Sequence, residues 1–138
     1  MIVLDTNVIS ELAKVLPDAN VLTWADGLAA NEVVTTAVTV AELRYGVARL
    51  PDGRRKTQLH DAIGGLISED LGDRVVPFDH AAAQAYATVV ADREGIGNPI
   101  LVADGQIAAI CRARGATLAT RNIKDFVDTG IELVDPWI

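Results

Sequence analysis

Ile2-Val3-Leu4-Asp5-Thr6-Asn7-Val8-Ile9-Ser10 is the stretch that decides the fold. With Met1, four apolar residues run without interruption and end at an acidic one. A short continuous apolar run is the mark of a strand buried on both faces, as in a parallel sheet. Asp5, Thr6 and Asn7 close the strand and feed a helix over roughly Val8 to Lys14, which stops before Pro17. A buried strand passing directly into a helix predicts that the remaining chain alternates in the same way.

It does alternate. Asp18 caps a second helix reaching about Ala29, with Val21, Leu22, Ala25 and Leu28 on one face. The β-branched Glu32 to Ala37 reads as a strand. Thr39 caps a helix whose apolar stripe is Val40, Leu43, Val47 and Leu50. Pro51-Asp52-Gly53 is a turn, and a longer helix runs to about Ser68. Arg74 to Phe78 is a strand, and Asp79 caps a helix to about Glu94. Gly95 to Pro99 is a loop in which Asn98 is the next cap and Pro99 the first helical residue. That helix reaches Arg114 and stops at Gly115. Ala116 to Thr120 is a strand, Asn122 to Val127 a helical turn, and Ile131 to Val134 a last strand. The expected fold class is α/β, a mainly parallel central sheet flanked by helices, with ligands at the carboxyl ends of the strands. Asp5 stands at one such end, and Thr120 with Asn122 at another. Glu42 and Asp104 lie early in helices that can point at the same edge.

At 138 residues, with half of them hydrophobic, the chain is read as one domain spanning 1–138. No linker, repeat or low-complexity tract divides it. The lone Cys111 sits among helical apolar residues and reads as a buried thiol. No signal-peptide pattern and no membrane-length apolar run is present, so a soluble cytoplasmic protein with no membrane partner is expected. The net charge of −7 weighs against a nucleic-acid partner. The basic residues nevertheless cluster: Arg44, Arg49, Arg54, Arg55 and Lys56 form one set, and Arg112, Arg114, Arg121 and Lys124 another. Either set alone reads as a solvated helix face.

The acidic residues differ in how easily a structural duty explains them. Asp5 is equally well a helix cap or a functional group. Thr39-Val40-Ala41-Glu42 fits a capping box, which would occupy Glu42 structurally. Asp104 resists such an explanation, because its helical neighbours Ile100, Ile107, Ala108 and Cys111 are an apolar stripe. A carboxylate there costs several kcal/mol unless something compensates it, and a cation is the simplest candidate. Asp125, after Arg121, Asn122 and Lys124, reads first as a surface charge. Three carboxylates about 5 Å apart would repel by roughly 10 kcal/mol in total at an effective dielectric of about 20. Mg²⁺ or Mn²⁺ relieves that repulsion and takes all-oxygen ligands. The two histidines, His60 and His80, have no ligand-like spacing, which disfavours zinc.

Four segments now count together: Ile2 to Ser10, Thr39-Val40-Ala41-Glu42-Leu43-Arg44-Tyr45-Gly46, Ala103-Asp104-Gly105-Gln106-Ile107-Ala108-Ala109, and Ala119-Thr120-Arg121-Asn122-Ile123-Lys124-Asp125-Phe126. In this order they resemble the signatures of PIN-domain proteins, in particular VapC-type toxins of bacterial toxin–antitoxin pairs and the related FitB branch. The resemblance spans essentially the whole chain. It implies a PIN-domain fold and a metal-dependent endoribonuclease that uses Mg²⁺ or Mn²⁺. It also implies a homodimer and a cognate VapB-type antitoxin that binds over the active site. It places the first three acidic positions on Asp5, Glu42 and Asp104, as metal ligands. At the fourth position, acidic in several relatives, this chain has Asn122, so Asp125 is the nearby source of negative charge. Thr6 and Thr120 are supporting groups. Arg44, Arg54, Arg55, Lys56 and Arg121 are expected to hold the RNA backbone.

Two other readings compete. A phosphatase of the haloacid dehalogenase type would also use an Asp ending strand one, but needs a second Asp where Asn7 stands. An inactive binding module that keeps the fold has only the missing fourth carboxylate in its favour.

Overall fold

The computed structural model describes residues 1–138. Five short strands form one all-parallel sheet in the order β3-β2-β1-β4-β5. They are β1 (Ile2–Leu4), β2 (Val33–Thr36), β3 (Val75–Val76), β4 (Thr117–Ala119) and β5 (Glu132–Val134). Helices α1 (Thr6–Leu12), α2 (Ala19–Asp26), α3 (Ala37–Ala48) and α4 (Arg54–Gly65) precede β3. Helices α5 (His80–Gly95), α6 (Val102–Arg114) and α7 (Ile123–Phe126) follow it. None of these helices is long and apolar enough to cross a membrane.

Strand alternation divides the core. Val3, Val34 and Leu118 face one layer, with Ala82 and Val89 of α5 and Ile107, Ala108 and Cys111 of α6. Their chain neighbours Leu4, Val33 and Ala119 face the other, with Val8 and Ile9 of α1, Val21 of α2, Leu43 and Val47 of α3 and Ile63 of α4. With side chains of period two and both faces covered, the strands must be apolar throughout, as Ile2 to Leu4 is. Cys111 is fully buried, and loss of water pushes its thiol up to about 12.

Several boundaries fall elsewhere than the sequence predicts. The cap of α3 is Thr36, not Thr39: its Oγ1 accepts the Thr39 N–H at 3.0 Å, and the two hydroxyls pair at 2.9 Å. Pairing of Thr35 and Thr36 with Val75 and Val76 ends the strand at Thr36, so Ala37 is already helical. Helix α6 begins at Val102, three residues after Pro99. Asn98 is withheld from capping because its N–H and C=O both bond to Arg93. Leu22 is exposed while Trp24 packs on the core, since Val21 sets which side of α2 faces inward. The helix expected to reach Ser68 ends at Gly65 and continues as a π-helical turn, Leu66–Asp70. The strand expected over Arg74 to Phe78 pairs only at Val75–Val76. Asp18, Asp79 and Gly115 end or begin their helices as the sequence predicts.

Candidate acidic active site

Asp5 leaves β1 and enters α1 in one step. Its N–H still donates to Ala119 O at 3.0 Å across the sheet, while its side chain caps the helix. Oδ1 accepts the Thr6 N–H at 2.8 Å. Oδ2 accepts the Thr120 hydroxyl at 2.8 Å and the Asn7 amide at 3.3 Å. Capping therefore uses one oxygen, and the other belongs to a polar network at the sheet edge. Burial raises the Asp5 carboxyl above its usual range; the bonds from Thr120, Thr6 and Asn7 pull it down, and the charge of Asp125 pushes it up again.

The network joins the ends of β1 and β4. Asn7 Nδ2 also donates to Thr120 Oγ1 at 3.3 Å, and its Oδ1 accepts the Arg121 N–H at 3.1 Å. Thr120 Oγ1 accepts the Asn122 N–H at 3.0 Å. Asn7 is thus a cross-link, and no carboxylate stands where the phosphatase reading needs one. Asn122 is exposed and enters the network through its main chain.

Glu42 lies on the exposed side of α3, where its Oε1 accepts the Thr6 hydroxyl at 3.0 Å. With Thr36 as the cap, Glu42 is the sixth residue of the helix and belongs to no capping box. Its structural duty is thereby removed. Glu42→Ala is expected to change unfolding free energy by less than about 0.5 kcal/mol, the usual range for a surface site. Urea unfolding checks this, and a loss near 1 kcal/mol would restore a capping role.

Asp104 is the third residue of α6, held at the α5–α6 contact. The next residue, Gly105, packs so closely that an added Cβ would lie 3.1 Å from the Tyr86 ring. Asp104 is half-buried, and burial and neighbouring charges, with no hydrogen bond among the causes, set its titration. Its carboxyl is pushed up to about 6, first by loss of water, then by Asp5, Asp125 and Glu42, against a downward pull from Arg93. One carboxyl thus feels the three other acidic groups. No three of the acidic, histidine or cysteine side chains close to ligand distance around a common point. The donor chemistry is nevertheless that of a hard cation: carboxylates in one field, with two of them disfavoured as anions when nothing offsets them.

Of the basic residues, Arg55 lines the same groove as Thr6 and Glu42, a cleft of about 780 Å³ between α1, α3 and α4. Arg54 is exposed at the start of α4. Arg44 lies against α4 instead, its guanidinium about 3.7 Å from where a Gly64 Cβ would stand and its Nη1 buried without a partner. Lys56 is bonded to Ala48 O and Asp52. Arg121 stacks over the Trp137 ring at 5.0 Å.

Sequence reasoning passed over Arg93. It is 2% exposed and joins main-chain carbonyls around the site. The available signal was spacing: Arg93 lies one helical turn beyond the buried Val89.

A family model described as the PIN domain matches residues 2–131. A VapC ribonuclease, Y4jK, of Sinorhizobium fredii is 44% identical over 137 residues, covering 99% of this chain and 98% of that protein. Toxin FitB of Neisseria gonorrhoeae is 39% identical over 137 residues, with 99% of each covered. A solved structure of FitAB bound to an IR36 DNA fragment superposes with a TM-score of 0.91 at 38% identity, covering 100% of this chain and 96% of that one.

Proposed function

The chain belongs to the PIN-domain family, among its VapC-type toxins, and we propose that it is a metal-dependent endoribonuclease, the toxin of a toxin–antitoxin pair. The observation that carries the reading is Asp104, a half-buried carboxyl acted on by three other acidic groups. Asp5, Glu42 and Asp104 would hold Mg²⁺ or Mn²⁺, with Asp125 beside them. Such a cation supplies a lowered pKa for water and offsets charge building on the phosphate.

The chain's own groups supply the rest. Thr6, Thr120 and Asn7 fix both oxygens of Asp5, and Thr6 also orients Glu42. The carboxyl oxygens of Glu42 or Asp125 orient the attacking water and accept its proton. Arg55 and Arg54 hold the RNA backbone, offsetting a net charge of −7 that otherwise repels it. Lys56, bonded to Ala48 O and Asp52, contributes less than the sequence suggests. A VapB-type antitoxin fits the groove that opens beside Glu42, whose lining is mostly apolar with Arg55 and Lys14 among it. The solved FitAB complex supports an antitoxin partner of this kind. A homodimer and a cytoplasmic location belong to the same reading.

Labelled single-stranded RNA, incubated with the protein and either Mg²⁺, Mn²⁺ or excess chelator, tests it. Fragments are expected with either metal and none with chelator. Cleavage that survives chelation would overturn the metal dependence.

A further inference from the structure

Arg93 is a buried cation whose side-chain hydrogen bonds all go to main-chain carbonyls. None of the four ion pairs in the fold includes it. A guanidinium taken out of water is costly unless its donors are met. Here Nε donates to Asn98 O at 2.7 Å. Nη1 donates to Asp125 O at 3.0 Å and to Val127 O at 2.9 Å. The Asn98 N–H returns a bond to Arg93 O at 2.9 Å.

These acceptors belong to the two segments that carry Asp104 and Asp125. Asn98 leads through Pro99 to Leu101 into α6, with Asp104 in its first turn. Asp125 and Val127 bracket the end of α7. Arg93, Asp104, Lys124 and Asp125 line one cleft of about 390 Å³. One side chain therefore ties the main chain beneath both carboxylates to the end of α5. Resting on the metal-site reading above, we propose that Arg93 is a positioning residue that holds Asp104 and Asp125 in register for a divalent cation. Its planar fork reaches three carbonyls from one point. Lysine keeps the charge but has no fork, so it cannot span them.

The test is Arg93→Lys, studied well below its unfolding temperature by Mn²⁺ titration and by native-state hydrogen exchange. Groups that orient metal ligands typically change affinity by about 10–100-fold, so half-saturation by Mn²⁺ is expected to rise by about that factor. Amides of residues 98–104 and 123–127 are expected to exchange about 10-fold faster together, with the middle of α5 unchanged. Adding Asp125→Asn should shrink the Arg93→Lys effect on affinity, because the two act through one segment. A folded Arg93→Lys protein that binds Mn²⁺ as the wild type does, with only a lower Tm, would overturn the proposal and leave Arg93 a fold-stabilising residue. If the wild type itself fails to bind Mn²⁺, the metal reading falls and the positioning of metal ligands falls with it. Hydrogen exchange then still decides whether Arg93 clamps the two segments. Should Arg93→Lys not fold, the wild-type Arg93 Nε–H resonance is followed while Mg²⁺ is added. A shift of that signal supports coupling to the site, and an unmoved signal at Mg²⁺ saturation contradicts it.

Discussion

Asp104→Asn is expected to lower RNA cleavage at least about 100-fold while leaving Tm unchanged or raised. The two effects have one origin. Asp104 gives the site a carboxylate that loss of water and the charges of Asp5, Asp125 and Glu42 all disfavour in the free protein. Asparagine keeps the shape, removes the charge, and so removes repulsion from the metal-free fold. The same change deletes an anionic ligand. Losing roughly 3 kcal/mol of charge stabilisation in the transition state corresponds to about 100-fold at about 1.4 kcal/mol per decade. Loss of activity caused by unfolding would look different, with Tm falling alongside the rate. Calorimetry beside the cleavage assay separates the two.

The second large effect is stabilisation by Mn²⁺ and its dependence on pH. The Asp104 carboxyl is raised from the ordinary 3.8 to about 6, and that of Asp5 is raised as well. A carboxyl raised in the fold stabilises it when protonated, so the contribution is fully present below the ordinary value and is lost as pH climbs through about 6. For a half-exposed group, screening reduces the Asp104 contribution to about 1 kcal/mol. Glu11 runs the other way: Lys14 and the Asp18 N–H hold its carboxyl low, so its contribution is lost as pH falls. Between pH 5 and 7 the metal-free protein is therefore expected to lose stability as pH rises. Mn²⁺ reverses this. At about 100 times its Kd a ligand adds about 2.7 kcal/mol, which for a chain of this size is a Tm rise of roughly 10 °C at pH 7. Near pH 4.5 protons compete for the same oxygens, and the rise is expected to be a small fraction of that.

The parallel alternation was legible because its signals are local. Ile2 to Leu4 is uniformly apolar, Asp18 and Asp79 cap at their own positions, and Gly115 adopts the left-handed conformation (φ 62°) that ends α6. Boundaries set by distant partners were not legible. Thr36 lies inside the expected strand, and only its pairing with β3 ends β2 there and makes it the cap in place of Thr39. Asn98-Pro99 has strong starting propensity and loses it to Arg93, whose bonds cannot be read from order along the chain. In the site, Asp104 stood out because a charge interrupts an apolar stripe, and Asp5 because it ends a buried strand. Glu42 was obscured by a capping box that the fold does not form. Arg93 left little trace, since two of its three acceptors are carbonyls 32 and 34 residues away, and any residue type supplies a carbonyl.

If these carboxylates form a cation site, Mn²⁺ must stabilise the fold, and titration followed by thermal unfolding at pH 7 reads that with no knowledge of the target RNA. Wild type and Asp104→Asn are titrated side by side. A saturable rise of roughly 10 °C in the wild type, absent or much reduced in Asp104→Asn, is the predicted result. No rise in the wild type, or an equal rise in both proteins, would contradict it.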